Sequence, residues 1–438
     1  MTKKSYQKKV EQKIYKYRRN RPRRIRRRYG VAYSRKATLA VFSPFTICHL
    51  RDKIQLEKNN ISSRIIIPRD FSFYHDFDQC MSFYRKLITV FQKKEGHIVL
   101  DFSGCKIANL STLTFLRILI EDFNLMQDRY KQLNPQYTER QIKAIPANEN
   151  IKVKKYLHAL GFYEYSDFKE EDGEVLSLNL IRGKYRNSYK ENVKGKAVNQ
   201  IAEFINESFA PVNKCLTEEG TNTIEALASE ILNNAEDHSH KNCQWYVHGV
   251  AFNEVQEGED IVEVNLAIIN LGNSMYEGFE ETKIPNDNNY RIVNNQYEKH
   301  KKLFTESKAF NRESLFMLYM LNEGISRLKY EDASRGNGTM QFLDAFTTLG
   351  CYGKENQKFN SLLNIISGHT VLSCDNKVGP YRDEKHLKLS LNEEKDLSLL
   401  PDGSYLKYNN EFFPGTIIEC KIFLNKIFLN KLLHHGEN

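Results

Sequence analysis

The sequence predicts an α/β protein in which two layered domains follow a basic N-terminal arm. Between residues 37 and 185, short apolar segments alternate with longer segments whose apolar residues recur at helical spacing, a pattern typical of α/β domains. The region from 190 to 430 again combines apolar strand patterns with helical ones. A length of 438 residues favours two or three domains over one, and a hydrophobic fraction of 40% is enough to build their cores.

The N-terminal arm, residues 1–36, is strongly basic. It holds 16 Lys or Arg and a single acid, Glu11, so its net charge is +15 while the rest of the chain sums to −6. Its few aliphatic residues cannot form a core. We predict a phosphate-binding arm for nucleic acid or ribonucleoprotein, with Tyr15, Tyr17 and Tyr29 able to stack on bases. A solubilising tail and an arm that docks on the acidic body remain alternatives.

The rest of the composition argues against a membrane or secreted protein. No run approaches the roughly 18 apolar residues that a membrane span needs, and no apolar segment follows the basic N-terminus as in a secretory signal. The eight cysteines are scattered and form no C-x-x-C pair, which favours reduced thiols over a disulfide framework or a zinc site. We therefore expect a cytoplasmic protein with no membrane partner.

Strands and helices alternate in residues 37–185. The predicted strands are 64–73, 97–102 and 141–147, and the predicted helices are 76–94, 111–130 and 150–165. Ser111 opens the long middle helix, and a serine in that position typically caps the first turn.

This order resembles a STAS domain, the fold of bacterial anti-anti-sigma factors. The resemblance depends on "IVLDFSGCKIANLSTLTFLRILI" and on the later strand and helix that end in "LGFYEY". In STAS regulators an Asp-Ser-Ser run carries the phosphorylated serine. Here the run is "IANLST", the Asp is absent, and a helix cap is favoured over a phosphoacceptor at Ser111 or Thr112. The resemblance implies a module for docking a protein partner or for dimerisation.

A dense polar stretch, "EILNNAEDH", lies within a helical pattern over residues 224–238. On a helix Glu230 and Asn234 are one turn apart on one face, with Asp237 beside them. Magnesium prefers oxygen ligands in octahedral geometry, and the Asn234 amide offers one neutral oxygen. The Glu230 carboxylate, one turn away, can orient or deprotonate a water molecule. That division of roles suits hydrolysis of a metal-bound triphosphate.

Further downstream, three segments carry residues suited to a nucleotide. The apolar strand 264–275 breaks at Asn270, whose side chain can hydrogen-bond an adenine, and Gly272 lets a base approach the backbone. In "SRGNGTMQFLDAF" two glycines lead directly into a helical pattern, which predicts a phosphate cradle at a helix N-terminus. Arg335 borders this loop. It could contact the γ-phosphate or be a charge exposed to solvent, and the sequence does not distinguish these alternatives. Finally, Thr416 enters the apolar strand 413–423.

The order of these segments resembles the Bergerat ATP-binding fold of the GHKL family over residues 190–430. The stretch around Glu230 is similar to the N box, "NLGNS" to the first glycine box, "RGNGT" to the second, and "PGTIIECKIF" to the last strand. The resemblance implies a mixed sheet covered by helices, and the cofactors ATP and Mg²⁺. It implies that Glu230 is the general base and Asn234 the magnesium ligand. The remaining nucleotide-binding residues it implies are Asp237, Asn270, Gly272, Arg335, Gly336, Asn337, Gly338, Thr339 and Thr416.

Two positions depart from the GHKL pattern. Asn270 stands where the family usually has Asp, and Ser274 replaces the second glycine of the first glycine box. An Asn amide oxygen can still accept a hydrogen bond from adenine, so weaker but retained binding is expected.

Three functions follow from these resemblances. The first is an ATPase that acts as a nucleotide-operated signalling switch, with a nucleic-acid-binding arm. The second is a serine/threonine kinase of the anti-sigma type, in which Glu230 takes the proton of a protein hydroxyl. The third is a non-hydrolysing nucleic-acid-binding scaffold, against which the presence of both Glu230 and Asn234 argues. A protein partner of the STAS-like region is expected, and a homodimer is left open.

Overall fold

The computed structural model describes most of the chain beyond residue 62. The described residues are 63–92, 96–147, 150–162, 175–184, 193–238, 244–256, 259–281, 283, 287–304, 310–322, 338–349, 361–375, 377–383 and 386–425. The basic arm, 1–36, and the predicted site residues Arg335, Gly336 and Asn337 lie outside them. Within these ranges, no helix has the length and apolar character that crossing a membrane requires.

Strands and helices are numbered here in chain order. The N-terminal elements are β1 (Arg64–Ile66), β2 (Asp70–Phe71), α1 (Phe77–Phe91), β3 (Ile98–Asp101), β4 (Ile107–Ala108), α2 (Leu110–Leu133), β5 (Ile142–Ile145) and α3 (Ile151–Ala159). They are followed by β6 (Val175–Lys184), α4 (Val193–Ser208), α5 (Glu218–His238), β7 (Gln244–Gln256), β8 (Glu259–Leu271), α6 (Met275–Glu280), α7 (Asp287–Phe304) and α8 (Arg312–Met320). The last elements are α9 (Gly338–Leu349), β9 (Leu362–Asp375), β10 (Tyr381–Asp383), β11 (His386–Lys388) and β12 (Leu406–Asn425).

The N-terminal elements form a small parallel sheet covered by helices. Strands β1, β3 and β5 pair in that order, and every pairing is parallel. The predicted strand 64–73 is divided into β1 and β2, because Pro68 between them has no amide hydrogen for the ladder. Local caps fix two helix starts: Asp76 accepts from the amide of Gln79, and Asn150 accepts from the amide of Val153. The predicted α/β class is confirmed.

The larger sheet has five strands in the order β6-β7-β8-β12-β9. Every pairing within it is antiparallel, so the mixed sheet expected from the GHKL resemblance is wrong for these strands. One reason is local, because only two residues separate β7 from β8 and a connection that short allows only a hairpin. Strand β6 belongs to this sheet, although its residues fall within the segment 37–185.

Side chains alternate across the large sheet and fill a different core on each face. Ile269, Leu271 and Ile417 join one cluster with the buried residues of the N-terminal elements. Ile268, Val262 and other residues of the opposite face join a second cluster with α4, α5 and α9. The described elements therefore stack in layers: the small parallel sheet, helices α1 and α2, the five-stranded sheet, and the helices of the second core.

A carboxylate from the large sheet caps the long helix α2. Glu419 of β12 accepts from the Ser111 amide at 3.1 Å, from the Ser111 hydroxyl at 2.9 Å and from the Asn109 amide group at 3.3 Å. The prediction that Ser111 caps its own helix is wrong. The helix begins at Leu110, its N-cap residue is Asn109, and no side chain of that local segment caps it. An acceptor from a distant strand satisfies the free amide instead.

Candidate functional site

The helix that carries the predicted catalytic residues is α5. Glu218 and Glu219 in its first turn complement the positive end of the helix dipole. Ile231 and Leu232 are buried against the large sheet and neighbouring helices, which leaves the opposite side of the helix for polar residues. The structure confirms a helix over the predicted span 224–238 and extends it by six residues at the N-terminal end, to Glu218.

One hydrogen bond joins the two predicted nucleotide-binding segments that lie on helices, the stretch around Glu230 on α5 and the start of α9. The Asn234 Nδ2 atom donates to Oγ1 of Thr339 at 3.1 Å, across 105 positions of sequence. Thr339 is the second residue of α9. The contact therefore brings the N-terminal end of α9, where helix amide groups have no partner within the helix, beside the polar face of α5.

Glu230 lies one turn before Asn234 and is partly exposed. Its carboxylate makes no hydrogen bond or ion pair with any residue in the described ranges. A neighbouring face of α5 is held differently: Lys194 of α4 donates to Asn233 at 2.6 Å and to Glu236 at 3.1 Å. These contacts link α5 to α4 through Asn233 and Glu236 and do not involve Glu230.

The strands beneath these helices carry the second group of predicted residues. Asn270 of β8 lies directly opposite Thr416 of β12 in the register, and Trp245 of β7 lies directly opposite Asn270 on the other side. All three are buried. Helix α5 contacts β8, and α9 contacts β9 and β12, so this group lies on the sheet face that the two helices cover.

Ser367 of β9 determines the hydrogen-bonding state of Thr416. The Ser367 hydroxyl accepts from the Met275 amide at 2.8 Å and donates its single proton to the Gly415 carbonyl at 3.0 Å. The 2.9 Å contact between the two hydroxyls must then use the proton of Thr416. The Thr416 oxygen is left with acceptor capacity only.

The Asn270 amide nitrogen is buried without a hydrogen-bond partner. A buried donor left unpaired costs about 1–3 kcal/mol, so a group that supplies an acceptor here would be favoured. The chain also approaches closely at this point, since a side chain on Gly415, whose φ is +145°, would lie 2.1 Å from the Asn270 carbonyl oxygen. Only glycine therefore fits beside Asn270 on β12.

The other predicted site residues are placed as follows. Gly272 follows β8 and donates its amide to the Pro414 carbonyl at 3.2 Å, which ties the end of β8 to β12. Asp237 lies in the last turn of α5 and Gly338 is the first residue of α9; only the backbones of these two are described. The structure thus brings Asn234 together with Thr339 and Asn270 together with Thr416.

A cavity of about 800 Å³ opens between the first half of α5 and α9. Its lining residues are Thr217, Glu218, Glu219, Asn222, Thr223, Ala226, Leu227 and Gln341. It ends one turn before Glu230, and neither Glu230 nor Asn234 lines it. The candidate site is therefore identified by the hydrogen bond between α5 and α9, and the cavity lies beside that site along the same two helices.

Two residues of the site were not predicted from the sequence. Ser367 connects Thr416 to the start of α6, and Lys194 holds α5 against α4. Ser367 had a readable signal, because "SG" interrupts the apolar run of β9 at residues 367–368. Lys194 had none, since nothing in its own segment indicates a partner on another helix.

Because comparison with known proteins finds no match, a function for this chain has to be argued from its own residues. No protein-family model, no curated protein and no solved structure matches this chain. Among the described residues, no group of three or more His, Cys, Asp or Glu side chains could hold a metal ion. The observed class is that of an α/β protein.

Proposed function

We propose that the chain is a magnesium-dependent ATP-binding protein, an ATPase that acts as a nucleotide-operated signalling switch. In this proposal residues 190–430 are a GHKL-type domain and the preceding region is a STAS-like module. The observation that carries it is the hydrogen bond between Asn234 and Thr339. It joins the predicted metal ligand to the start of the helix that follows the predicted phosphate loop.

The free groups of the site fit a bound magnesium nucleotide. Asn234 uses its amide nitrogen on Thr339, which leaves the oxygen, the atom a hard cation prefers, without a partner among the described residues. The first amides of α9 and its positive dipole end favour phosphate. Asn270 and Thr416 offer an unpaired donor and an acceptor to the edge of a base. When bound, Mg²⁺ would neutralise phosphate charge as a Lewis acid.

In the hydrolytic reaction Glu230 is the general base. It has no ion-pair partner in the described part of the chain and it lies one turn from Asn234, so it can accept a proton from a water molecule near the terminal phosphate. The attacking oxygen forms a bond to the γ-phosphorus as the bond to the leaving ADP oxygen breaks. Asn234 and the N-terminus of α9 orient the phosphate chain during this transfer.

The first prediction concerns Glu230. Glu230→Ala should still bind ATP but should release phosphate about 10²- to 10⁴-fold more slowly, because the proton acceptor is lost. Isothermal titration measures the binding, and a phosphate-release assay measures the turnover. Glu225→Ala on the same helix is the matched control and should retain both properties. Equal turnover by wild type and Glu230→Ala would refute the assignment of this residue.

The second prediction separates the metal from the nucleotide. Asn234→Ala should lose the part of nucleotide affinity that depends on Mg²⁺ and keep the affinity measured in excess chelator. Titrations with a non-hydrolysable ATP analogue, with and without Mg²⁺, measure the two parts. A variant that retains the full effect of Mg²⁺ would show that Asn234 is not a ligand. Acid-stable label on Ser or Thr of a partner would favour the kinase function over the switch.

A further inference from the structure

The contact between Asn234 and Thr339 has a direction that assigns Thr339 a role of its own. An asparagine side chain has one acceptor oxygen and one NH₂ donor group, and a half-turn of the amide exchanges them. In this structure the NH₂ group is the end that lies against the Thr339 oxygen, at 3.1 Å. The oxygen of Asn234 therefore points away from that contact.

We infer that Thr339 is a positioning residue for the cation, and that its hydroxyl acts through Asn234 and not by direct contact with the nucleotide. This inference rests on the proposed function. By accepting from the amide nitrogen, the Thr339 hydroxyl keeps the Asn234 oxygen turned away from this contact, where that oxygen is available to a cation. Without it, the Asn234 amide loses its only side-chain partner among the described residues and can turn its NH₂ group toward the cation.

The placement of Thr339 gives this contact a second consequence. Thr339 belongs to the first turn of α9, and Met340 and Leu343 of the same helix are buried in the core that also contains Ile231 and Leu232 of α5. The packing of α9 against α5 therefore fixes the position of Thr339 relative to Asn234. Cation binding is therefore linked to the docking of α9, the helix that follows the predicted phosphate loop.

The test uses full-length protein, Mn²⁺ as a paramagnetic probe for the cation, and a non-hydrolysable ATP analogue. Thr339→Val keeps the shape of the side chain and removes the hydroxyl. Its Mn²⁺ dissociation constant, measured by electron paramagnetic resonance, should rise about 10- to 100-fold, the range found when groups that orient metal ligands are removed. Affinity for the analogue in excess chelator, to which the α9 backbone amides contribute and the hydroxyl does not, should fall much less than Mn²⁺ affinity. Thr339→Ser keeps the hydroxyl and should bind Mn²⁺ like the wild type.

An Asn234→Asp background supplies the decisive control. A carboxylate has two equivalent oxygens, so its orientation no longer needs a hydroxyl partner. Thr339→Val should therefore lose most of its effect on Mn²⁺ affinity when Asn234 is replaced by Asp, whereas general damage to the fold would persist. Fluorescence of Trp245 during thermal unfolding checks that each variant is folded.

Two results would overturn the inference while leaving the proposed function intact. If Thr339→Val weakened binding in chelator as much as binding with Mn²⁺, Thr339 would contact the nucleotide itself. If it changed neither, the hydrogen bond would have no role in cation binding. Failure of the wild type to bind Mn²⁺ together with the analogue would instead overturn the proposed function, and the role of Thr339 with it.

Discussion

At the scale of single residues, the buried interface between α2 and the large sheet holds a histidine in its neutral form. His248 of β7 is buried, and its Nδ1 atom lies 3.1 Å from the Thr114 hydroxyl of α2. Burial, with a smaller contribution from the charge of Arg117, lowers the pKa of His248 to about 3. The imidazole therefore stays uncharged in the folded protein through the whole physiological range.

This pKa difference predicts how stability changes with pH. In the unfolded chain a histidine titrates near about pH 6.5, so below that pH the unfolded state takes up a proton that folded His248 refuses. Above about pH 6.5 neither state binds this proton, so His248 does not reduce the free energy of unfolding. As the pH falls from there toward the pKa of the folded state, the free energy of unfolding decreases. From about pH 7.5 to about pH 5 the loss should be about 2 kcal/mol.

Urea unfolding of the wild type and of His248→Asn at both pH values measures this loss. The asparagine variant can form one hydrogen bond to Thr114 but cannot titrate, so its free energy of unfolding should fall by about 2 kcal/mol less between the two pH values. The same pH dependence in both proteins would mean that His248 is not kept neutral by burial.

At the scale of elements, the capping of α2 by Glu419 joins the N-terminal elements to strand β12. A negative group at the N-terminus of a helix is favourable both as a hydrogen-bond acceptor and because of the helix dipole. Glu419 lies three residues from Thr416, and the two side chains point to opposite faces of β12. The same strand segment therefore anchors α2 on one face and borders the candidate site on the other.

Removing this cap should destabilise the protein. Glu419→Ala leaves the buried Ser111 amide and hydroxyl without their acceptor, which should cost about 1–3 kcal/mol in the free energy of unfolding. Glu419→Gln keeps one acceptor oxygen and should cost less. Glu394→Ala, at an exposed position, is the control and should remain within about 0.5 kcal/mol of the wild type. An alanine variant as stable as the wild type would show that solvent replaces the cap.

The sequence predicts what is local and misses what connects distant segments. Apolar spacing predicts the starts of α1 and α3 to within one residue, and the structure shows that each start is capped locally, by Asp76 and by Asn150. Nothing near Ser111 indicates that its partner is Glu419, 308 positions away. That Asn234 and Thr339 belong to one site was expected only through the GHKL resemblance, and their hydrogen bond was not predicted, because no local pattern links residues on two separate helices.

At the scale of the whole molecule, the two predicted domains are not separate. The N-terminal elements pack on one face of the large sheet and form a single core with that face. Phe115 of α2 meets Phe413 of β12 with ring centroids 5.2 Å apart, and Tyr156 of α3 meets Phe252 of β7 at 4.8 Å. Lys152 of α3 also forms an ion pair with buried Glu263 of β8. Burial would raise the pKa of Glu263, but Lys421 and Lys152 hold it below its ordinary value.

A shared core predicts that the described body unfolds in one cooperative transition. Trp245, the single tryptophan of the chain, is fully buried on the face of the sheet that points away from α2, so its fluorescence reports on the second core. Phe123 lies in the first core and stacks on Phe91 with ring centroids 4.3 Å apart. Phe123→Ala should cost about 3–5 kcal/mol, as large-to-small changes in a core do.

Because the sheet belongs to both cores, this loss should appear in the Trp245 transition as fully as in far-ultraviolet circular dichroism. Leu125→Ala on the same helix, at a side chain that is 43% exposed, is the matched control and should move neither transition appreciably. If the N-terminal elements were an independent domain, Phe123→Ala would split the dichroism curve and leave the Trp245 midpoint in place. A single displaced transition in both signals is the expected result, because exposing one apolar face of the large sheet removes half of its packing.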